Sequence, residues 1–124
     1  MRLLLDSHVF LWANAEPDRL SAAAVAALAS PSHEAWLSHA SVWELTIKLS
    51  VGRLRLGGSL SDLIADSKVG LLPIGLGHIE ATARLPHHHG DPFDRMLIAQ
   101  AREEGMTLVT ADPSIQRYPV AWLW

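Results

Sequence analysis

The sequence has no cysteine. That excludes disulfide staples and thiolate metal sites, and it fits a reducing compartment. Long apolar runs are also missing. No stretch approaches the ~20 residues of a membrane span. The opening "RLLLDSHVFLW" carries a charge inside its apolar part and no small-residue cleavage site. Neither a membrane anchor nor a secretory leader is expected from it. Positive charge is scarce too: ten Lys and Arg face thirteen Asp and Glu, a formal net charge of -3. This argues against binding nucleic acid through a broad basic surface. It leaves room for an enzyme whose acidic site grips phosphate through metal ions. What the chain does have is bulk. Its 124 residues are 49% hydrophobic and 19% charged. These values predict one globular domain over residues 1–124, able to bury roughly two-thirds of its unfolded surface.

Five stretches read as strands: 2–6 ("RLLLD"), 34–39 ("EAWLSH"), 70–75 ("GLLPIG"), 106–112 ("MTLVTAD") and 120–124 ("VAWLW"). The first is a continuous apolar run, as a strand covered on both faces requires. Pro73 confines the third to an edge or a strand end. Helices are predicted at 21–30, 41–54, 59–70, 76–85 and 91–105, from apolar spacing, Ser starts and Gly or Pro stops. Strands alternating with helices imply an α/β fold with a parallel sheet and helices on both faces. Sites in such sheets form at the carboxyl ends of the strands. That rule selects Asp6 and Asp112 at the ends of their runs, Glu44 just after the second strand, and the "HHHGDPFD" segment entering the 91–105 helix.

Each acid has an ordinary structural reading. Asp6 fits a helix cap for "DSHVF" as well as a site. Ser41-x-x-Glu44 has the form of a capping box, and Glu44 is spaced i,i+4 from Lys48 for an ion pair. Asp91-Pro92 reads as cap and first helical residue, with Asp94 favoured by the dipole in the first turn. Asp112-Pro113 also resembles a helix start. The combination says more. Two like charges ~4 Å apart repel by about 4 kcal/mol at an effective dielectric of 20. A pocket of four carboxylates therefore needs a proton, a basic partner or a divalent cation. All-oxygen ligation suits Mg²⁺ or Mn²⁺, which neutralise a phosphodiester and activate water.

In order and spacing, "LLLDSHVFLW", "SHASVWELTIKLSVGRLRL", "LPHHHGDPFDRMLIAQA" and "LVTADPSI" make nearly the whole chain resemble a PIN-domain ribonuclease of the VapC toxin type. The resemblance implies a three-layer α/β/α sandwich around a short parallel sheet. It implies an endoribonuclease, the toxin of a toxin–antitoxin pair, acting in the cytoplasm on RNA with Mg²⁺ or Mn²⁺. The family's catalytic and metal-binding acids fall on Asp6, Glu44, Asp94 and Asp112. It also implies an antitoxin across the active-site face and a homodimer. Two departures stand out: Ser7 replaces the usual Thr, and Gly90 stands where similar sequences often carry Arg. Asp91 is a second acid three residues before Asp94, read as a cap or a supporting acid. Ser7, Thr110 and Arg95 are expected accessories, Thr110 through its hydroxyl and Arg95 as an RNA contact or a surface ion pair. Arg53, Arg55 and Arg102 are further local cations.

Other features admit weaker assignments. Consecutive residues His87, His88 and His89 diverge, unlike a helical i,i+4 chelate, so an RNA-phosphate contact or a plain loop is expected there. His8 is assigned to core packing, and His39 to the pocket's neighbourhood. The five tryptophans are expected mostly in the core. Phe10, Leu11, Trp12 and the 41–54 helix are candidate antitoxin contacts. The competing class is a catalytically silent PIN-like module that binds protein or RNA without cutting it. An aspartyl-phosphate enzyme using Asp6 wants a second Asp at position 8, where this chain has His8.

Overall fold

The computed structural model describes all 124 residues. Strand β1 is Arg2–Leu5, β2 Glu34–Ser38, β3 Gly70–Leu72, β4 Thr107–Val109 and β5 Trp122–Leu123. They form one parallel sheet in the order β3-β2-β1-β4-β5. The helices are α1 (Ser7–Ala15), α2 (Ala22–Ala29), α3 (His39–Ser50), α4 (Leu60–Ser67), α5 (Leu76–Thr82), α6 (Pro92–Glu104) and α7 (Pro113–Gln116), with a 3₁₀ turn at Pro17–Arg19.

The alternation within β1 separates two cores. Leu3 and Leu5 pack with Val9, Phe10, Leu37 and Leu45 beneath α1–α4. Leu4 points the other way, among Leu97, Ile98, Leu108 and Ile115 beneath α5–α7. All three leucines are at most 2% exposed, as a central strand with two covered faces demands. The expected α/β/α sandwich with its short parallel sheet is what forms.

Several boundaries differ from expectation. Helix α3 begins at His39, not Ser41, because Ser38 takes the cap: its Oγ accepts from the Ala40 amide at 2.9 Å. The Ser41–Glu44 capping box therefore does not form. Ser41 Oγ is buried with no hydrogen-bond partner, and Glu44 sits in the second turn. Helix α4 ends at Ser67, with Lys68 as its cap in the left-handed conformation at φ 60°, rather than at Gly70. Gly70 instead opens edge strand β3 opposite Trp36. A Cβ there would lie 2.7 Å from the Trp36 ring, so close approach explains the glycine. Strand β3 ends before Pro73, and β4 ends at Val109, so Asp112 lies beyond the strand as the α7 cap. No tryptophan is fully buried, and Trp43 is 62% exposed. The core is filled by Leu, Ile, Val and Ala with Phe10.

Candidate functional site

The strands are parallel, so their carboxyl ends share one rim, and the acids gather there. Asp6 follows β1 directly and caps α1. Its Oδ1 accepts from the His8 amide at 3.0 Å, and its Oδ2 accepts from Thr110 Oγ1 at 2.7 Å. The buried Thr110 hydroxyl also accepts from the Asp112 amide at 3.1 Å. One side chain after β4 thus joins two acids. Asp112 Oδ1 caps α7 through the Ser114 amide. Glu44 reaches the same rim from α3: the buried Ser7 donates to its Oε1 at 2.7 Å, and Lys48 lies 3.9 Å from its Oε2.

Helix α6 brings the remaining carboxylates. Asp91 caps it, accepting from the Phe93 and Asp94 amides, with Pro92 as first helical residue. Asp94, in the first turn, makes no cap of its own, and its Oδ2 lies 3.2 Å from His89 Nε2. Burial first, then the neighbouring Asp91, Asp6 and Asp112, push its carboxyl up from 3.8 to about 7, against a hydrogen bond from His89 that lowers it. The direction locates the group: Asp94 lies within electrostatic reach of three other acids. No three carboxylate or imidazole groups converge on a single point as a closed ligand set. Their charge and all-oxygen donors nonetheless match a hard divalent cation. The capping readings of Asp6, Asp91 and Asp112 hold together with their place at the rim.

Some assignments change. Arg95 is 9% exposed and neither an RNA contact nor a surface ion pair. Its guanidinium donates to the Pro86, Thr82 and Leu85 carbonyls and to the Tyr118 hydroxyl. It is held inward because the end of α5 and the turn after it present several carbonyls that converge on one guanidinium. Phe10 is fully buried and offers no surface to a partner. His8 is exposed rather than core, with Nδ1 3.8 Å from Asp6 Oδ1. His89 is not a plain loop residue. Its Nε2 lies 3.2 Å from Asp94 Oδ2, and its Nδ1 lies 2.8 Å from the Tyr118 hydroxyl. In the neutral ring this arrangement donates to Asp94 and accepts from Tyr118. Sequence reasoning noticed the three histidines but had no means to select His89. Tyr118, which links His89 to Arg95, carried no signal at all.

Comparison with known proteins agrees with this architecture. The PIN domain family matches residues 3–121. Ribonuclease VapC22 of Mycobacterium tuberculosis (strain ATCC 25618 / H37Rv) is 34% identical over 119 residues, covering 94% of this chain and 91% of the relative. Among solved structures, VapBC2 from Rickettsia felis bound to a promoter DNA fragment matches with a TM-score of 0.76 at 14% identity, over 99% of this chain and 98% of that one. FitAcB from Neisseria gonorrhoeae matches with a TM-score of 0.62 at 22% identity, over 98% and 96%. These two likenesses concern the fold. With the family match across almost the whole length and the VapC22 identity, they make the chain a member of the PIN-domain family, of the VapC type.

Proposed function

We propose that the chain is a divalent-metal-dependent endoribonuclease, the toxin of a toxin–antitoxin pair, with all 124 residues acting as one domain. The observation that carries this is the gathering of acids at the carboxyl rim of the sheet, where Thr110 joins Asp6 to Asp112 and Ser7 holds Glu44, with burial and the neighbouring acids pushing the Asp94 carboxyl up. Acids packed this way favour a cation among them. Similarity to a ribonuclease by name supports the same reading. Asp6 and Asp94 would hold Mg²⁺ or Mn²⁺, with Glu44 and Asp112 completing the set directly or through water. The bound ion supplies Lewis acidity toward a phosphodiester and a nucleophile from water at neutral pH. The chain's own groups do the positioning. Thr110 fixes Asp6, Ser7 fixes Glu44, and His89 holds Asp94.

The structural neighbours VapBC2 and the Salmonella typhimurium VapBC were solved as complexes with DNA, the latter with a TM-score of 0.67 over 99% of this chain. They support a cognate antitoxin partner, and a homodimer, for this chain. Exposed Trp43 packs edge-on against Phe93, at the start of α6, with ring centroids 5.4 Å apart. It is a suitable aromatic anchor for such a partner. No helix is long and apolar enough to cross a membrane. The RNA substrate and the absence of cysteine favour the cytoplasm.

The test is cleavage of cellular RNA by purified protein, with Mg²⁺, with Mn²⁺ and with chelator. Asp6→Asn and Asp94→Asn should each abolish metal-dependent cleavage while circular dichroism stays native. Full activity in Asp6→Asn would overturn the proposal.

A further inference from the structure

We propose that single-stranded RNA enters along a groove between α1 and the segment after α3, with a base stacked on Trp12 and phosphates on Arg53 and Arg55. The inference rests on the ribonuclease reading and adds a binding track to it. A pocket at the acid rim is lined by Asp6, Asp112, His8, Trp12 and Arg19. A second, larger groove of about 700 Å³ shares His8, Trp12 and Arg19 with it. These three side chains border both, so the two pockets adjoin, the larger one extending away from the carboxylates.

The sign of charge changes from one pocket to the other. The larger groove is lined by Arg19, Lys48, Arg53 and Arg55, with Glu16 as its one carboxylate. This concentration of cations occurs in a protein of net charge -3. Arg19 is engaged by Glu16 at 3.2 Å and Lys48 by Glu44 at 3.9 Å. Arg53 and Arg55 are exposed, and no carboxylate lies within 4 Å of either. The acid end would repel a polyanion without a metal ion, whereas this end attracts one by itself.

Trp12 sits where the two pockets meet. Its ring is partly exposed, tilted against Trp124 and His8 with centroids 5.9 Å away, and the Arg19 guanidinium lies over one ring face at 4.5 Å from its centroid, so a base stacking there takes the place of Arg19. A partly exposed aromatic beside unpaired arginines is the arrangement that binds single strands, whose unstacked bases offer a π-face. A duplex keeps its bases stacked and offers Trp12 nothing. An acidic protein segment could also satisfy the arginines; RNA is favoured because the groove adjoins the carboxylate cluster, where a phosphodiester would be cut.

The experiment measures fluorescence anisotropy of a short labelled single-stranded RNA of mixed sequence, in chelator so that nothing is cut. Wild type is compared with Arg53→Ala/Arg55→Ala and with Trp12→Leu. The exposed arginine pair can be removed without disturbing the core, which guards against a folding artefact at Trp12. The arginine variant should bind at least about tenfold more weakly, and its salt slope should fall by about 1.4, near 0.7 per lost phosphate contact. Trp12→Leu should weaken binding roughly tenfold with its salt slope unchanged. Duplex RNA should compete poorly. Wild-type affinity in both variants would overturn the proposal and leave the groove to a protein partner. Failure of wild type to bind single-stranded RNA would also overturn it. The two readings separate cleanly. Cleavage with groove variants unaffected removes only the track, and groove-dependent binding without cleavage under any metal removes only the nuclease.

Discussion

Thr110 Oγ1 donates to Asp6 Oδ2 at 2.7 Å, joining residues 104 positions apart across the adjacent strands β1 and β4. The same oxygen accepts from the Asp112 amide. A hydroxyl used in both directions holds two rim acids in fixed relation. Hydrogen bonds to charged groups are worth about 1.5–3 kcal/mol. On the proposed function, Thr110→Val should slow RNA cleavage by roughly tenfold or more, with the fold intact. Thr110→Ser should restore most of the rate. Single-turnover cleavage of all three proteins checks this, and a Val variant as fast as wild type would remove Thr110 from the site.

Asp94 gives a pH prediction whose sign is fixed. Its carboxyl is raised from 3.8 to about 7. Between those values the folded protein holds a proton that the unfolded chain has released. This group's contribution to stability therefore falls as pH rises through that window. Asp94→Asn carries no such proton. Without added metal, its melting temperature relative to wild type should climb from about pH 4 to about pH 7 and then level. A difference flat across this range would contradict the crowding of Asp94 by its neighbours.

Much of this arrangement was legible in the chain, for physical reasons. A carboxylate right after a buried parallel strand must sit on the rim, whatever else it does. For Asp6 the choice between cap and site was therefore a false one: the Asp6 carboxylate that accepts from the His8 amide also lies at the rim. Glu44 lies at the rim and its i,i+4 pairing with Lys48 is present, but the capping box with Ser41 is not. Ser38 and Ser41 are both plausible caps, and only the end of β2 decides between them. Arg95 was misread because local pattern records polarity, not the carbonyls of Thr82, Leu85 and Pro86 that converge on its guanidinium. The His89–Asp94 contact spans five residues, which matches no regular period, and His89–Tyr118 spans 29. No sequence spacing reports such contacts.

Arg95→Lys tests the revised role. A guanidinium makes several fixed, directional hydrogen bonds here, and an ammonium cannot reproduce that fork. Carbonyls left unsatisfied in buried surroundings cost about 1–3 kcal/mol each. The Lys variant should lose roughly 2 kcal/mol or more in urea denaturation. Its affinity for single-stranded RNA should match wild type under conditions where it is folded. Weaker RNA binding with unchanged stability would return Arg95 to the substrate-contacting role the structure denies it.

Gly70→Ala addresses the sheet edge, far from the chemistry. Gly70 pairs with Trp36 across β2 and β3, and an added Cβ would lie 2.7 Å from that ring. The ring is rigid and packed against the core that includes Leu4 and Leu97, so it cannot yield by a simple rotation. Overpacking of this kind costs typically about 1–3 kcal/mol, and the Ala variant should be destabilised by that amount. If the cause is the ring and not the backbone, shrinking the ring should cancel the penalty. Adding Gly70→Ala to a Trp36→Leu background should then cost much less than adding it to wild type. A double-mutant cycle in urea denaturation measures this coupling directly. Equal costs in the two backgrounds would assign the glycine to conformational freedom at the start of β3 and reject steric contact as its reason.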